Sequence, residues 1–300
     1  MEKHAQRPVV GVFWMVVTGL CFVAVTALVK LNGPRIPAAE AAFLRYAMGL
    51  VFLIPILGAL RRVELTPRLW RLFAVRGLFH TFGVTLWFFS MTQISIAEVT
   101  AMNYLTPVYV TIAAALFLGE TLALRRLLAV LMALVGAMII LRPGFRELGI
   151  GHFAMLAAAM VFCISYLTAK MLADAVPASV VVAMLSITVT IGLAPLAYAV
   201  WIPPTWGELA MLFAVACFAT AGHYTMTLAF ASAPLTVTQP VTFLQLIWAV
   251  ALGYFAFGEG VDIWVVIGGF VILGSVTFIT WREAVLKRGA ITPVSHETKV

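Results

Sequence analysis

The sequence predicts an all-α polytopic membrane protein whose ten transmembrane helices form two inverted five-helix repeats. Three observations carry this prediction. Of 300 residues, 63% are hydrophobic and 10% are charged, whereas a soluble chain carries roughly 25% charged residues because its surface meets water. Apolar runs near the ~20 residues that cross a bilayer at 1.5 Å rise per residue recur along the whole length. Landmarks of the first half then return, in order, in the second.

The apolar runs place spans at 9–31, 39–60, 70–91, 97–118, 124–141, 153–173, 179–201, 208–230, 235–257 and 263–281. The first run follows a short basic stretch, MEKHAQR. It is too long for a signal-peptide core and has no small-residue cleavage pattern after it, so it reads as a retained span. Only Gln93 to Glu98 separates spans three and four, and only Ala231 to Pro234 separates spans eight and nine. Joins this short require helical hairpins. The polar stretch after Trp281 reads as a short disordered end.

Lys and Arg set orientation, because cytoplasmic loops carry their excess. With the N-terminus placed in the cytoplasm, that side receives Lys3, Arg7, Arg61, Arg62, Arg68, Arg71, Arg125, Arg126, Lys170, Arg282, Lys287, Arg288 and Lys299. The other side receives Lys30, Arg35, Arg142 and Arg146. Both termini are therefore expected in the cytoplasm, with the chain in a cell (inner) membrane. The same bias accounts for the net charge of +7. No basic–aromatic patch lies outside the spans, so nucleic acid is not an expected partner.

Lys30, Pro37-Ala38 and Pro55 are spaced like Lys170, Pro177-Ala178 and Pro195, an offset of 140 (170 minus 30). Leu118-Gly119-Glu120 answers to Phe257-Gly258-Glu259 at an offset of 139 (259 minus 120). The predicted units are residues 1–148 and 149–283, each a five-helix repeat, followed by a cytoplasmic tail at 284–300. Five is odd, so the second unit enters the membrane from the opposite side. Inverted repeats place a binding site near the bilayer midplane between the halves, and one rocking motion can open either side in turn. This symmetry points to alternating-access transport.

Other chemistry finds little support. Cys21, Cys163 and Cys217 sit inside apolar runs without a CxxC or Cys/His cluster, so they read as small buried hydrophobes and no metal or cofactor is expected. Asp174 and Asp262 are the only aspartates. Intramembrane lipid or prenyl transferases need clustered aspartates, and zinc proteases need HExxH-type ligands. An enzyme is accordingly not expected, and a receptor explains the repeat less well.

The motifs resemble those of the drug/metabolite transporter superfamily, specifically its ten-helix EamA-type members. The resemblance covers residues 9–283 and rests on Leu105-Thr106-Pro107-Val108, Leu118-Gly119-Glu120 and a fifth span ending Ile139-Ile140-Leu141. The second half repeats it as Leu244-Gln245-Leu246-Ile247 and Phe257-Gly258-Glu259, with Leu246 where the family has proline. The resemblance implies a 5+5 bundle in which helices one to four of each half line a central cavity and the fifth helices buttress it. It also implies export of amino acids, purines, drugs or other metabolites. The overall appearance is similar to exporters of aromatic and neutral amino acids. Drug or nucleobase export is the alternative.

Polar groups inside spans usually face the bundle interior, and this selects the candidate lining. Thr100, Asn103 and Tyr104 of span four share a face. Thr238, Thr242 and Gln245 of span nine follow i, i+4, i+7 spacing. His80 and His223 fall on corresponding faces of spans three and eight, where histidine could relay a proton or simply hydrogen-bond as a neutral ring. Trp87, Tyr166, Tyr224 and Trp248 are candidate aromatic walls. Pro55, Pro107, Pro195 and Pro240 are hinge candidates, since proline interrupts a helix. Trp14, Trp70, Trp201, Trp206, Trp264 and Trp281 lie near span ends and read as interfacial anchors.

Arg45 and Arg76 are expected to snorkel toward the membrane surfaces, or Arg45 to pair with Glu40 or Glu98. Glu120 and Glu259 read as helix-joining residues. With no central ring of Lys or Arg and no buried Asp/Glu pair, the expected substrate is a small neutral or zwitterionic metabolite. Ala129, Ala133 and Ala137 form a small-residue stripe that suits close packing within the chain, a homodimer contact being the alternative.

Overall fold

The computed structural model describes residues 8–56, 65–106, 108–109, 112, 124–142, 147–173, 175–232, 241 and 243–289. Within them are ten α-helices: α1 (Pro8–Asn32), α2 (Ala38–Gly49), α3 (Pro67–Gln93), α4 (Ile96–Asn103), α5 (Leu124–Leu141), α6 (Ile150–Ala173), α7 (Ala178–Ala199), α8 (Trp206–Ser232), α9 (Phe243–Phe257) and α10 (Ile263–Gly289). No strand occurs among the described residues. Helices suit this environment because their backbone hydrogen bonds are satisfied within the segment, which lipid requires. Four of them, covering Val9–Asn32, Pro67–Gln93, Ser179–Ala199 and Trp206–Met226, are long and apolar enough on their own to cross a bilayer.

The outward surface is apolar. Phe13, Leu78, Phe82, Leu131, Met138, Phe153, Ile191 and Phe255 are all exposed. A patch this extensive on a water-soluble monomer would be an association liability; against lipid it costs nothing. Trp70, Trp201, Trp206, Trp264 and Trp281 are exposed at or near helix ends, as interfacial anchors require.

Helix pairing follows the repeat. The most extensive contacts join α1 to α8, α3 to α6 and α5 to α10. Exchanging the halves carries α1–α8 into α6–α3, and it carries α2–α8 into α7–α3, both of which are present. The α2–α7, α4–α9 and α5–α10 contacts map onto themselves. Local geometry repeats too. Pro37 caps α2 with φ −56° and ψ 144°, and Pro177 caps α7 with φ −56° and ψ 143°.

The halves are not identical. After Gly49, α2 tightens into a 3₁₀ segment, Leu50–Ile56, that contains Pro55. The counterpart α7 continues as α-helix through Pro195. At the far end, α10 runs on to Gly289. The sequence reading ends the last span at 281 and starts the tail at 284, so the helix continues past both positions. Residues 290–300, like Pro107, Pro240, Glu120 and Arg146, lie outside the described residues.

The short join between α3 and α4 is held by side chains. Ser95 and Glu98 form a capping box: Ser95 Oγ accepts from the Glu98 amide at 3.2 Å, and Glu98 Oε2 accepts from the Ser95 amide at 2.9 Å. Such a box satisfies amides that a helix start leaves unpaired. Around it, Lys30 Nζ donates to the Ile94 carbonyl at 2.9 Å and pairs with Glu259, whose other oxygen accepts from the Ile96 amide at 3.1 Å. His152 at the start of α6 lies 3.2 Å from Glu98 Oε1. Glu259 is thus a helix-joining residue, tying the end of α9 to α1 and α4. Gly253 makes room for it, since a Cβ there would collide with the carboxylate.

Further ion pairs gather at this same end of the bundle. Arg142, after α5, pairs with Asp262, before α10. Arg35, in the α1–α2 connection, pairs with Glu208 of α8. Glu208 raises the guanidinium's already high pKa, so Arg35 stays charged.

The fifth helices of the two halves cross closely. A Cβ on Gly136 would lie 2.8 Å from the Gly268 carbonyl, and one on Gly268 would lie 2.5 Å from the Gly136 carbonyl. Ala129, Ala133 and Ala137 are all buried, so the small-residue stripe serves packing within the chain. Small residues let backbones approach in this way.

Two outcomes follow. Gly268→Ala forces two backbones apart and is expected to destabilise by about 1–3 kcal/mol, the range for overpacking. Gly274→Ala, where a Cβ meets nothing within 4 Å, is the neutral control. Unfolding midpoints in detergent check both. Separately, Lys30→Met and Glu259→Gln are expected to couple by about 0.5–3 kcal/mol. A double-mutant cycle in the same assay measures it, and additive effects would show that the ion pair contributes nothing.

Candidate functional site

A cavity of about 390 Å³ opens between the two halves. That volume lies in the range of small-molecule sites, which hold a largely apolar ligand among a few orienting polar groups. Its wall is built from eight helices or their extensions. From α1 come Met15, Thr18, Gly19 and Phe22; from α2, Arg45 and Tyr46; from α3, His80, Val84 and Trp87. The α4 segment supplies Asn103, Tyr104 and Thr106, and Phe162 comes from α6. His223 and Met226 of α8, Gln245 of α9, and Leu273 and Val276 of α10 complete it.

His80 is the structural centre of this wall. Its Nε2 is hydrogen-bonded to Tyr46 Oη at 2.9 Å and its Nδ1 to Ser165 Oγ at 3.1 Å. The ring also packs against Phe162, with centroids 5.0 Å apart. One residue thereby ties α3 to α2 and α6. Both partners are hydroxyls, which can donate to one ring nitrogen and accept from the other, so a neutral imidazole is fully satisfied here. His223 presents its ring edge-on to Phe22 at 5.2 Å. Across the α1–α8 contact, Thr18 and Thr225 share an Oγ–Oγ hydrogen bond of 2.9 Å. No Asp or Glu is among the described lining residues.

The structure brings together His80, Trp87, Asn103, Tyr104, His223 and Gln245, as the sequence suggests. It corrects three other candidates. Thr100 is buried, does not line the cavity, and donates to the Ile96 carbonyl of its own helix at 2.8 Å. Tyr224 is 65% exposed and Trp248 38% exposed, on outward faces of α8 and α9. Tyr224 directly follows the lining residue His223, and the ~100° step per residue of a helix carries it out of the cavity. Thr238 and Thr242 lie outside the described residues, as does the side chain of Tyr166.

Both span arginines also depart from expectation. Arg76 is buried and donates to the Val181 carbonyl at 3.2 Å, tying α3 to α7 rather than snorkelling. Arg45 is buried at the cavity, with its guanidinium carbon 4.0 Å from the Tyr46 ring centre. The fifth helix of the second half does more than buttress, since Leu273 and Val276 of α10 reach the wall. Met15, Gly19 and Phe22 carried no signal of their own, being apolar or small residues in a span that is apolar all round. Tyr46 beside Arg45, an arginine inside an apolar run, was the available clue.

Comparison with known proteins now fits this geometry. Residues 9–142 match the profile of the EamA-like transporter family. Relatives cover nearly the whole length. A riboflavin transporter from Rhizobium johnstonii is 28% identical over 94% of this chain and 95% of its own. An S-adenosylmethionine uptake transporter from Rickettsia prowazekii is 24% identical over 91% and 93%. The pseudopaline exporter CntI from Pseudomonas aeruginosa is 25% identical over 88% and 93%. A protein crystal structure superposes with a TM-score of 0.60 and 20% identity, covering 94% of this chain and 99% of the other, and shares the fold. The chain is a membrane protein whose relatives are metabolite transporters.

Tyr46→Phe removes one of the two partners of His80 and leaves a buried ring nitrogen unsatisfied. The expected loss is about 1–3 kcal/mol of stability, read as a lower unfolding midpoint in detergent. An unchanged midpoint would mean that water replaces the hydroxyl.

Proposed function

We propose that the protein is a secondary transporter that carries a small amino-acid-like metabolite by alternating access through the central cavity. The observation that carries the reading is the cavity itself: it lies between two structurally repeated halves, is walled by aromatic rings, and offers a few fixed polar groups. The relatives support it. S-adenosylmethionine is an amino acid that bears a flat purine ring, and riboflavin is a flat ring with a polar chain. Phe22, Tyr46, Trp87 and Phe162 suit the apolar, planar part of such a molecule. Asn103 and Gln245 suit its polar groups. An aromatic or neutral amino acid has the same two-part character at smaller size.

A flat-ring metabolite or drug without an amino-acid group is the second reading, favoured by the same rings and by the riboflavin relatives. The halves of the transport unit are proposed at 1–148 and 149–283, and the protein is placed in the cell (inner) membrane with both termini in the cytoplasm. His80 is proposed as a neutral positioning residue for the wall.

Purified protein in liposomes, tested with labelled aromatic amino acids, S-adenosylmethionine and riboflavin, decides between these readings. Flux of the first two groups is expected, with Trp87→Ala reducing it at least about tenfold, as loss of a stacking wall does when a binding contact worth more than 1.4 kcal/mol is removed. Loading vesicles on either side tests export against uptake. Protein-independent flux for the whole panel would sink the transporter reading.

A further inference from the structure

The cavity contains a positive charge that the protein leaves without a partner. Arg45 is 8% exposed, lies on the cavity wall, and makes no hydrogen bond or ion pair among the described residues; the Tyr46 ring centre lies 4.0 Å from its guanidinium carbon. Guanidinium does not shed its proton in proteins, so burial cannot neutralise it as it neutralises a lysine. A charge in an apolar bundle is held at a cost and normally pairs with another group or faces a functional path. The acidic neighbour in sequence, Glu40, turns to the other end of the helix and accepts from the Ile202 amide at 2.9 Å. The described residues of the cavity wall supply no carboxylate.

Two more polar atoms of the same wall are buried without partners. These are Trp87 Nε1 and Thr106 Oγ1. Buried donors are normally satisfied, and each exception calls for an explanation. A cation and two spare donor-capable groups around one cavity are complementary to an anion carried on a molecule that also has its own acceptors.

We propose that Arg45 is the carboxylate subsite of the cavity and that the substrate bears one carboxylate beside an apolar body. This rests on the reading of the cavity as the substrate site, and it refines the expectation of a neutral or zwitterionic substrate. One guanidinium balances one carboxylate and presents the paired N–H geometry that a carboxylate accepts. A phosphate would bring more charge than this single cation balances. The Tyr46 ring lies against the guanidinium and, as a π-face, takes none of its N–H donors. Trp87 and Thr106 take the ligand's remaining polar atoms.

The test uses the full chain in detergent and does not require the natural substrate. Phenylglyoxal, which modifies accessible arginine, is applied at fixed ionic strength, and the Arg45 peptide is followed by mass. Phenylacetate is expected to slow modification at least about tenfold, the effect of one charge-assisted contact, whereas phenylethylamine leaves the rate unchanged. Absent modification, equal rates under both compounds, or equal protection by inorganic phosphate overturns the assignment. Arg45→Met supplies the second readout. Removing a charge that has no partner is expected to raise the unfolding midpoint of the ligand-free protein and to abolish stabilisation by phenylacetate. A lowered midpoint means that Arg45 holds the fold, and the subsite fails. These readouts are independent of flux. Arg45 protection without transport of any compound keeps the subsite and removes the transporter reading, and transport without protection does the reverse.

Discussion

Lipid gives a buried charge no water to turn to, and the arrangement of this bundle follows from that constraint. Several ionic groups outside the cavity find partners inside the protein. Lys30 meets Glu259, Arg142 meets Asp262, and Arg35 meets Glu208. Arg76 finds a carbonyl of the neighbouring helix. Each resolution also joins two helices that are distant in sequence, so the requirement for partners and the packing of the halves are one problem with one solution. Arg45 alone among these departs from the pattern, and it does so where a ligand could complete it.

The fold was legible in the sequence because lipid simplifies the code. Apolar run length reports helices directly, and the offset of 140 between Lys30 and Lys170 reports the repeat. Helix ends were less legible. Nothing in the run around Pro55 distinguishes it from the run around Pro195, yet one segment tightens to 3₁₀ and the other stays α-helical. The difference comes from what packs on each helix, which a single-sequence pattern does not contain. The continuation of α10 to Gly289 has a similar origin: REAVLKRG is polar enough to end a membrane span and still composed of good helix formers.

The site was legible by type rather than by direction. Intramembrane polarity selected His80, Asn103 and Gln245, all of which reach the cavity wall, because a polar side chain has few tolerable places. The same rule failed for Thr100, whose hydroxyl is satisfied by its own helix and therefore demands nothing of its surroundings. Aromatic residues gave weaker guidance, since a ring is equally at home against lipid and against a ligand. Tyr224 and Trp248 are exposed on the outer surface, whereas Trp87 lines the cavity. Gly19 and Met15 reach the cavity only because the α1–α8 packing turns that face inward.

The unequal treatment of Pro55 and Pro195 has an energetic consequence. A transporter made of two identical inverted halves would hold its two access states at equal free energy, because exchanging the halves converts one state into the other. Every difference between the halves then enters the gap between the states. A gap of about 1.4 kcal/mol already gives a tenfold excess of one population. A 3₁₀ turn on one side answered by a continuous helix on the other is such a difference, so under the proposed alternating access the resting occupancy is written into the departures from symmetry.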